Sequence, residues 1–533
     1  MSMKKPIICL ISILAIGAAL RFYGIFNRGI FIADETVYYR AAVAGKAGIE
    51  KCLKGHGGNI LAVMLPVVDS FAGKPTHILL GVGGFFVFGM RQCAPLIVMG
   101  IFGCFTIWVV FLIGRMMRDA GTGLLAAALL SVSAVHIYYS RSFMPHADQT
   151  FFVTLAAFFY LKQYMRKSLT GRSLAPVGLL MGTAFTIHPV TLFYAPLFIL
   201  LELAAWIYKR PFCFKRLLAR MTWFLGSFFL PAFLLVLVSI FGRSEAAPLL
   251  TFADKGYLGQ VIFRDSADAV QNGLIDNRNL GKWHMLLLSG VYNGWIFACC
   301  MIAASAYYLF VHVIKKRSFI AAAICALSLG AMAYWQYFAQ HARIFRLILS
   351  AYPIFCVVIA VFVCEALPKK LAKALIALLL IEGLCYSGNV VRQVKSEFPA
   401  LEKFLNAESP KAILTTSSYI PTTADVIMPG LVNPVFFCVS DFGEAKKRAL
   451  TPESTYLIVA PSDWLGNETF RFTAEPKMTI PDPFLFYFPT FYETARVGGY
   501  MDRLAHKDNI SARKIAVFVM SDLLEEKKTE AAR

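Results

Sequence analysis

The sequence predicts a polytopic α-helical membrane protein of about eleven transmembrane helices, followed by a carboxyl-terminal extracytoplasmic α/β domain. Three observations lead to this fold class. Hydrophobic residues make up 58% of the chain and charged residues only 16%, which is too apolar for a soluble globular protein. Apolar windows long enough to cross a bilayer recur up to residue 388. The remaining segment, 389–533, lacks such windows and carries a balanced set of charges.

The individual spans follow from windows of about 20 apolar residues, the length that crosses a hydrocarbon core. The predicted spans are 7–26, 94–114, 121–139, 146–165, 174–188, 190–208, 221–241, 285–312, 318–340, 347–366 and 371–388. Lys4 and Lys5 precede the first span, as in a signal peptide, but no small-residue cleavage site followed by polar sequence comes after it. We therefore expect a retained first helix.

The basic residues predict the orientation, because lysine and arginine collect in the cytoplasmic loops of membrane proteins. Alternate connections are basic, beginning with Lys4 and Lys5 and continuing at 115–118, 166–172, 209–220, 315–317 and 369–373. This pattern predicts a cytoplasmic amino terminus and an extracytoplasmic carboxyl-terminal domain, in the inner (plasma) membrane of a bacterium.

The net charge of +20 arises in the membrane part of the chain. Residues 1–388 carry 35 basic and 14 acidic side chains, whereas 389–533 carry 17 and 18. The excess therefore reflects membrane orientation together with the binding of an anion, and no nucleic-acid partner is expected.

Three long segments lie between or after the predicted spans, and all three are predicted on the outer side. Residues 27–93 and 242–284 form external loops of the transmembrane domain 1–388, and 389–533 form the separate domain. In that domain, β-branched runs at 412–414, 456–459 and 515–519 alternate with helix-like segments at 398–407 and 442–450. We expect the chemistry to lie on this side of the membrane.

The candidate catalytic residues are Asp34 and Glu35, which follow the first span within an otherwise uncharged segment. Carboxylates close to hydrocarbon are costly, so those present usually have a function or a partner. An ordinary pair of loop acids at the headgroup level is the alternative interpretation.

Basic residues at predicted outer boundaries are candidates for binding an anion. Lys74 precedes Pro75, and a lysine at an interface also occurs simply to reach the headgroups. Arg343 and Arg346 enter the tenth span, where an arginine needs a phosphate or an acidic partner. Secondary candidates at the outer ends of spans are Arg141, His146, Asp148 and His188. For His146 and Asp148 a capped helix start is the favoured explanation, and for His188 a simple turn.

Several of these segments together resemble the C-type (GT-C) polyprenyl-phosphate-dependent membrane glycosyltransferases, the superfamily of the protein O-mannosyltransferases and aminoarabinose transferases. The resemblance is carried, in order, by Leu20-Arg21-Phe22, Asp34 to Tyr39, Lys74-Pro75, Phe88 to Arg91, Ser140-Arg141-Ser142 and Arg346 to Pro353. Three positions depart from the family pattern: Ser350 and Thr76 stand where prolines are usual, and His188 replaces a basic residue.

The resemblance implies a GT-C fold and a hexosyl- or pentosyltransferase, mannosyltransferase-like, that uses a polyprenyl-phosphate-sugar donor. The acceptor would be a glycan, lipid or protein at the outer face of the bilayer, and the anomeric centre would be inverted. Asp34 matches the catalytic aspartate and would be the general base, with Glu35 orienting the sugar or shifting the pKa of its neighbour. Lys74 and Arg346 would neutralise the departing phosphate. Reserve cations in the second external loop are Arg264, Arg278, Lys282 and His284.

Two further expectations concern cofactors and alternatives. Relatives that use monophosphate donors generally need no metal, so none is expected to be required, although the resemblance leaves a divalent ion open. The alternative functions are a ligase or polymerase of lipid-linked oligosaccharides with a pyrophosphate donor, and a non-enzymatic lipid flippase or polysaccharide exporter.

Overall fold

The structure is a computed structural model, and its described residues fall into two compact units. The described residues are 4–30, 33–54, 74–165, 170–188, 191–192, 194–208, 214–242, 290, 293–316, 318–327, 349–393, 395–416, 419–432, 435–439, 442–449, 451–459, 474–481 and 514–525. Those of the first unit lie within Met1–Ile25 and Ala41–Arg392. Those of the second lie within Phe26–Arg40, Gln393–Phe488 and Gly499–Arg533.

The first unit consists of apolar helices. In chain order they are α1 (Lys4–Phe22), α2 (Ala33–Leu53, whose first turns belong to the second unit), α3 (Pro75–Phe88), α4 (Cys93–Met117), α5 (Ala120–Ser131), α6 (Ala134–Ser140), α7 (Ala147–Met165), α8 (Ala175–Ile187), α9 (Ala195–Tyr208), α10 (Phe214–Gly242), α11 (Trp295–Tyr308), α12 (described over 319–327), α13 (Tyr352–Ala366) and α14 (Lys369–Gln393). A π-helical turn, Leu309–Lys315, extends α11.

Each predicted span overlaps at least one of these helices. Within the described part of the chain, six helices are long and apolar enough to cross a membrane, or seven if the bent pair α5 and α6 is one span. These lengths agree with a polytopic helical membrane protein, because about 20 apolar residues are needed to cross the hydrocarbon core. The fold class predicted from the sequence is confirmed.

The first external loop, 27–93, contains two helices that the sequence analysis did not predict. Helix α2 carries six charged side chains, including the acid pair, and has no long apolar run, so a search for apolar windows does not find it. Helix α3 is apolar but has only 14 residues, which is too short to be counted as a span. The predicted loop is therefore largely helical wherever the structure describes it.

Connections that were predicted to share the cytoplasmic side meet in the structure. Arg220 of α10 forms a bidentate ion pair with Glu202 of α9, with N–O distances of 2.7 and 2.8 Å, and both side chains are completely buried. The same guanidinium donates to the carbonyl oxygen of Thr170 and to Oγ of Ser173. Fully hydrogen-bonded pairs of this kind tolerate burial. The network joins α9 and α10 to the connection between α7 and α8.

The helix pair α5 and α6 bends by 64°, and a buried arginine from α1 lies at the bend. Arg21 donates to the carbonyl oxygens of Leu130 and Ser131 in the last turn of α5. Its Nη2 atom also lies 2.7 Å from Nδ1 of His136. Gly103 makes the approach possible, because a Cβ atom there would lie 2.8 Å from Nε of Arg21.

The second unit contains a five-stranded mixed sheet in the order β2-β1-β3-β5-β4. Its strands are β1 (Ala412–Thr415), β2 (Phe436–Cys438), β3 (Thr455–Val459), β4 (Met478–Pro481) and β5 (Lys514–Val519). Strands β2, β1 and β3 are parallel, whereas β5 runs antiparallel to both β3 and β4. Helix α15 (Phe398–Glu408) precedes β1, α16 (Tyr419–Ile427) connects β1 to β2, and α17 (Phe442–Arg448) connects β2 to β3. The predicted carboxyl-terminal α/β domain is present.

The domain has its own hydrophobic core on one face of the sheet. Leu414 of β1, Leu457 of β3 and Phe518 of β5 pack against Ala445 of α17 and against Leu523, which follows β5. Burial of such apolar side chains is the main favourable contribution to the stability of a domain of this size.

Candidate active site

Asp34 lies in the first turn of α2, where the partial positive charge of a helix amino terminus favours a carboxylate. The side chain is partly exposed, as is that of Val37 one turn later, whereas Glu35 and Tyr38 are buried. Successive residues of a helix point about 100° apart, so the two neighbouring acids face different surroundings. Of the pair, Asp34 is the one with access to a ligand.

Glu35 forms an ion pair with Arg28, and both side chains are completely buried. The Nη1 atom of Arg28 lies 2.8 Å from each carboxylate oxygen of Glu35 and also donates to the carbonyl oxygen of Gly29 at 2.9 Å. The pair therefore joins Arg28 to the first turn of α2. The role that the resemblance implies for Glu35 stays a prediction. No pattern in the sequence indicated Arg28 as its partner.

The segment that carries Asp34 contacts the α/β domain at two points within the second unit. The backbone N–H of Ser396 donates to the carbonyl oxygen of Arg28 at 2.7 Å. At the other side of Asp34, Arg40 donates to both carboxylate oxygens of Asp425 and to the carbonyl oxygen of Thr422. The sequence analysis did not identify Arg40 or Asp425, because no local pattern connects residues this far apart.

In the membrane unit, a histidine that the sequence analysis overlooked binds one of its candidate acids. Nδ1 of His77, on α3, donates to Oδ2 of Asp148, in the first turn of α7, at 2.7 Å. Both side chains are completely buried, and the imidazole stacks on the ring of Phe143 with a centroid distance of 4.4 Å. Gly81 allows this stacking, because a Cβ atom there would lie 2.4 Å from the Phe143 ring.

Two further candidate histidines lie against each other in the same unit. The rings of His146 and His188 have centroids 5.2 Å apart, and His146 also contacts the edge of Tyr139. His188 ends α8, and a hydrogen bond of 2.7 Å between Thr76 and Thr186 joins α8 to α3. The structure therefore brings together helix ends that are far apart in the sequence.

Lys74 occupies the position just before α3, with Pro75 in the first turn. The first N–H groups of a helix have no carbonyl partners within the helix, and together with the helix dipole they favour an anion. Lys74 thus brings a flexible ammonium group to a helix end that already suits a phosphate. It lies three residues before His77, which the Asp148 carboxylate fixes.

Arg141 makes structural contacts with the end of α1. It is almost completely buried and ends α6. Its Nη1 atom donates to the carbonyl oxygens of Leu20, Arg21 and Tyr23 at distances of 3.2, 3.1 and 2.7 Å. These carbonyls lie in and directly after the last turn of α1, so Arg141 caps the end of that helix. Its predicted substrate-binding role stays a prediction.

The remaining predicted cations lie outside the described residues. They are Arg264, Arg278, Lys282, His284, Arg343 and Arg346. Among the described residues, no three histidine, cysteine or acidic side chains are grouped closely enough to hold a metal ion.

No protein-family model matches the sequence, and a search of curated proteins finds no relative. Solved structures are similar in fold. ArnT from Cupriavidus metallidurans bound to undecaprenyl phosphate is 10% identical with a TM-score of 0.55, over 85% of this chain and 93% of that chain. The oligosaccharyltransferase AglB from Archaeoglobus fulgidus, in complex with an inhibitory peptide and a dolichol-phosphate, is 14% identical with a TM-score of 0.53, over 86% of this chain and 70% of that chain.

The apo form of the Archaeoglobus fulgidus oligosaccharyltransferase is also similar in fold. It is 12% identical with a TM-score of 0.53, over 85% of this chain and 69% of that chain. Identities this low establish similarity of fold. The chain has the GT-C fold of these membrane enzymes, as the sequence motifs predicted.

Proposed function

We propose that this chain is an integral-membrane inverting glycosyltransferase that moves a sugar from a polyprenyl monophosphate carrier to an acceptor at the extracytoplasmic face. The observation that carries the proposal is the GT-C fold, which extends over at least 85% of the chain. Two of the similar structures were solved with undecaprenyl phosphate or a dolichol-phosphate, and this supports the same class of carrier here.

Asp34 is the general base of the proposed reaction. It removes the proton from an acceptor hydroxyl or amine, whose oxygen or nitrogen then bonds to the anomeric carbon of the sugar. The bond from that carbon to the phosphate oxygen breaks on the opposite side, so the configuration inverts and the polyprenyl phosphate leaves. The partial exposure of Asp34 and the burial of Glu35 support this assignment of the base to the first acid of the pair.

Lys74 stabilises the leaving phosphate. A cation beside the amino terminus of α3 offers charge and backbone donors where negative charge develops, which is the most effective form of electrostatic catalysis. Arg346 has the same proposed role from the tenth predicted span. No metal is required in this scheme, since these cations supply the charge that an ion would otherwise provide. Full turnover after exhaustive chelation is the expected result.

The experiment uses purified full-length protein and undecaprenyl phosphate bearing glucose, mannose or aminoarabinose. Release of undecaprenyl phosphate in the presence of a membrane extract that contains acceptors supports the transferase. D34N is expected to abolish release and to retain binding of undecaprenyl phosphate. D119N is the matched control, because Asp119 caps α5 at a basic connection and Asn caps a helix nearly as well.

The alternatives predict different results in the same assay. A pyrophosphate-dependent ligase releases carrier only from undecaprenyl pyrophosphate sugars, and a flippase or exporter releases none from either donor. Full activity of D34N would refute the assigned base.

The proposed topology is tested separately with alkaline phosphatase fused after residue 533, which is expected to be active, whereas a fusion within 209–220 is expected to be inactive.

A further inference from the structure

We propose that the carboxyl-terminal domain positions the catalytic base, and that Arg40 and Asp425 are the positioning residues. The proposal rests on the function assigned to Asp34 above and gives the α/β domain a role in the reaction. The contacts that support it all lie within the second unit, which contains both the segment Phe26–Arg40 and the described residues of the sheet domain.

The contact at Arg40 has a geometry that fixes orientation. Nε of Arg40 donates to Oδ2 of Asp425 at 2.7 Å, while Nη2 donates to Oδ1 of the same carboxylate and to the carbonyl oxygen of Thr422 at 2.5 Å. A guanidinium presents its donors in a rigid plane, so a bidentate contact restricts rotation as well as distance. Arg40 is thereby bound to α16 at two successive turns.

A second contact holds the segment on the other side of Asp34. The N–H of Ser396 donates to the carbonyl oxygen of Arg28, and the side chain of Arg28 binds Gly29 and the neighbouring acid Glu35. Asp34 lies six residues from Arg28 and six residues from Arg40. The base therefore lies midway between two attachments to the same domain.

The ion pair at Arg40 is suited to positioning and contributes little to folding. The side chains of Arg40 and Asp425 are 40% and 61% exposed, and exposed ion pairs contribute little to stability. The position of a general base, in contrast, strongly affects the rate, since a displacement of about 1 Å costs up to about 100-fold. The pair contributes little to stability but orients the first turns of α2. We therefore expect its loss to lower turnover.

The test compares R40A, D425A, the double variant R40A/D425A and the charge exchange R40D/D425R, all in the full-length protein. The matched control is R448A, because Arg448 forms an exposed ion pair with Glu444 within α17 of the same domain. Three quantities are measured for each variant: turnover, as release of undecaprenyl phosphate from its sugar derivatives; binding of undecaprenyl phosphate alone; and amide hydrogen exchange in 33–40.

R40A and D425A are each expected to lower kcat by about tenfold and to raise amide exchange in 33–40, with unchanged binding of undecaprenyl phosphate. The double variant should be no slower than either single variant, and the charge exchange should recover most of the turnover. R448A should match the unmodified protein in all three measurements. Such a pattern separates a positioning role from a general loss of folding.

Unchanged turnover in R40A, or losses that add in the double variant, would overturn the proposal. A charge exchange that restores neither turnover nor amide protection would do so as well. If the unmodified protein releases no undecaprenyl phosphate, the proposed function is wrong. Amide exchange in 33–40 then tests on its own whether the domain holds this segment. Exchange in 33–40 that is identical in R40A and the unmodified protein would show that the domain does not hold this segment.

Discussion

His77 and Asp148 form a completely buried hydrogen-bonded pair, with 2.7 Å between Nδ1 and Oδ2, although 71 residues separate them in the chain. The pair joins the first turns of α3 and α7. Each partner satisfies a polar group that the apolar bundle would otherwise leave unpaired, and Phe143 covers one face of the imidazole. Because Lys74 lies one turn before His77, the pair also fixes the helix end at which the donor phosphate is proposed to bind.

Replacing His77 by phenylalanine should therefore destabilise the protein strongly. The ring would keep its packing on Phe143, but Asp148 would lose its buried partner, and removal of one member of such a pair costs about 3 to 5 kcal/mol. The measurement is the thermal unfolding midpoint in detergent. T183A is the control, because Thr183 bonds only the carbonyl of its own helix and should shift the midpoint little. An H77F midpoint equal to that of T183A would contradict the prediction.

Replacing Arg141 by alanine separates the predicted substrate role from the observed structural one. The structure predicts a loss of about 2 kcal/mol or more in unfolding free energy, because three carbonyls at the end of α1 lose their donor. Affinity for undecaprenyl phosphate should change little in protein that remains folded. Denaturant unfolding and lipid binding are measured on the same preparation. Weaker lipid binding at unchanged stability would support the predicted substrate role.

The sequence predicted the elements of this fold well and the partners of its polar residues poorly. Spans were recognisable because each is a long apolar window, and strands such as β3 because they are short β-branched runs. Helix α3 and strands β2 and β4 were missed, since 14, 3 and 4 residues are too few for a clear pattern.

The candidate site was predictable to the extent that its residues carry charge near a membrane. Asp34 was found by that criterion, and His146, Asp148 and His188 were found as polar residues at helix ends. Their partners were not found. His77 lies within an apolar run, and Arg40 and Asp425 are 385 residues apart, so only the folded chain reveals these contacts.

The buried pair of Arg28 and Glu35 should behave as a unit. E35L removes the carboxylate and leaves a buried guanidinium, so we expect a loss of about 3 to 5 kcal/mol in unfolding free energy. The double variant R28M/E35L replaces both charges by apolar side chains and should recover most of that loss. The unfolding midpoints of E35L and R28M/E35L are compared to test this prediction. A double variant that is less stable than E35L would show that the charges are needed for the fold itself.

The ion pair of Arg40 and Asp425 should make a small, pH-dependent contribution to stability. The hydrogen bond from Arg40 lowers the pKa of Asp425 below its usual value of 3.8. As the pH falls, Asp425 is therefore protonated at a higher pH in the unfolded protein than in the folded protein. The stabilisation is complete above pH 3.8 and is lost as the pH falls through the lower pKa of Asp425 in the folded protein. Since the pair is largely exposed, about 1 kcal/mol is the upper limit.

D425N tests this directly, because the amide has no charge at any pH. The unmodified protein should be slightly more stable than D425N at about pH 7, and the difference should become smaller as the pH falls below 3.8. The unfolding midpoints of both proteins are measured across this range, with E444Q as the control for an exposed pair within α17. A difference that stays constant or grows on acidification would mean that Asp425 is not charged opposite Arg40, and the contact proposed to orient Asp34 would lose its electrostatic basis.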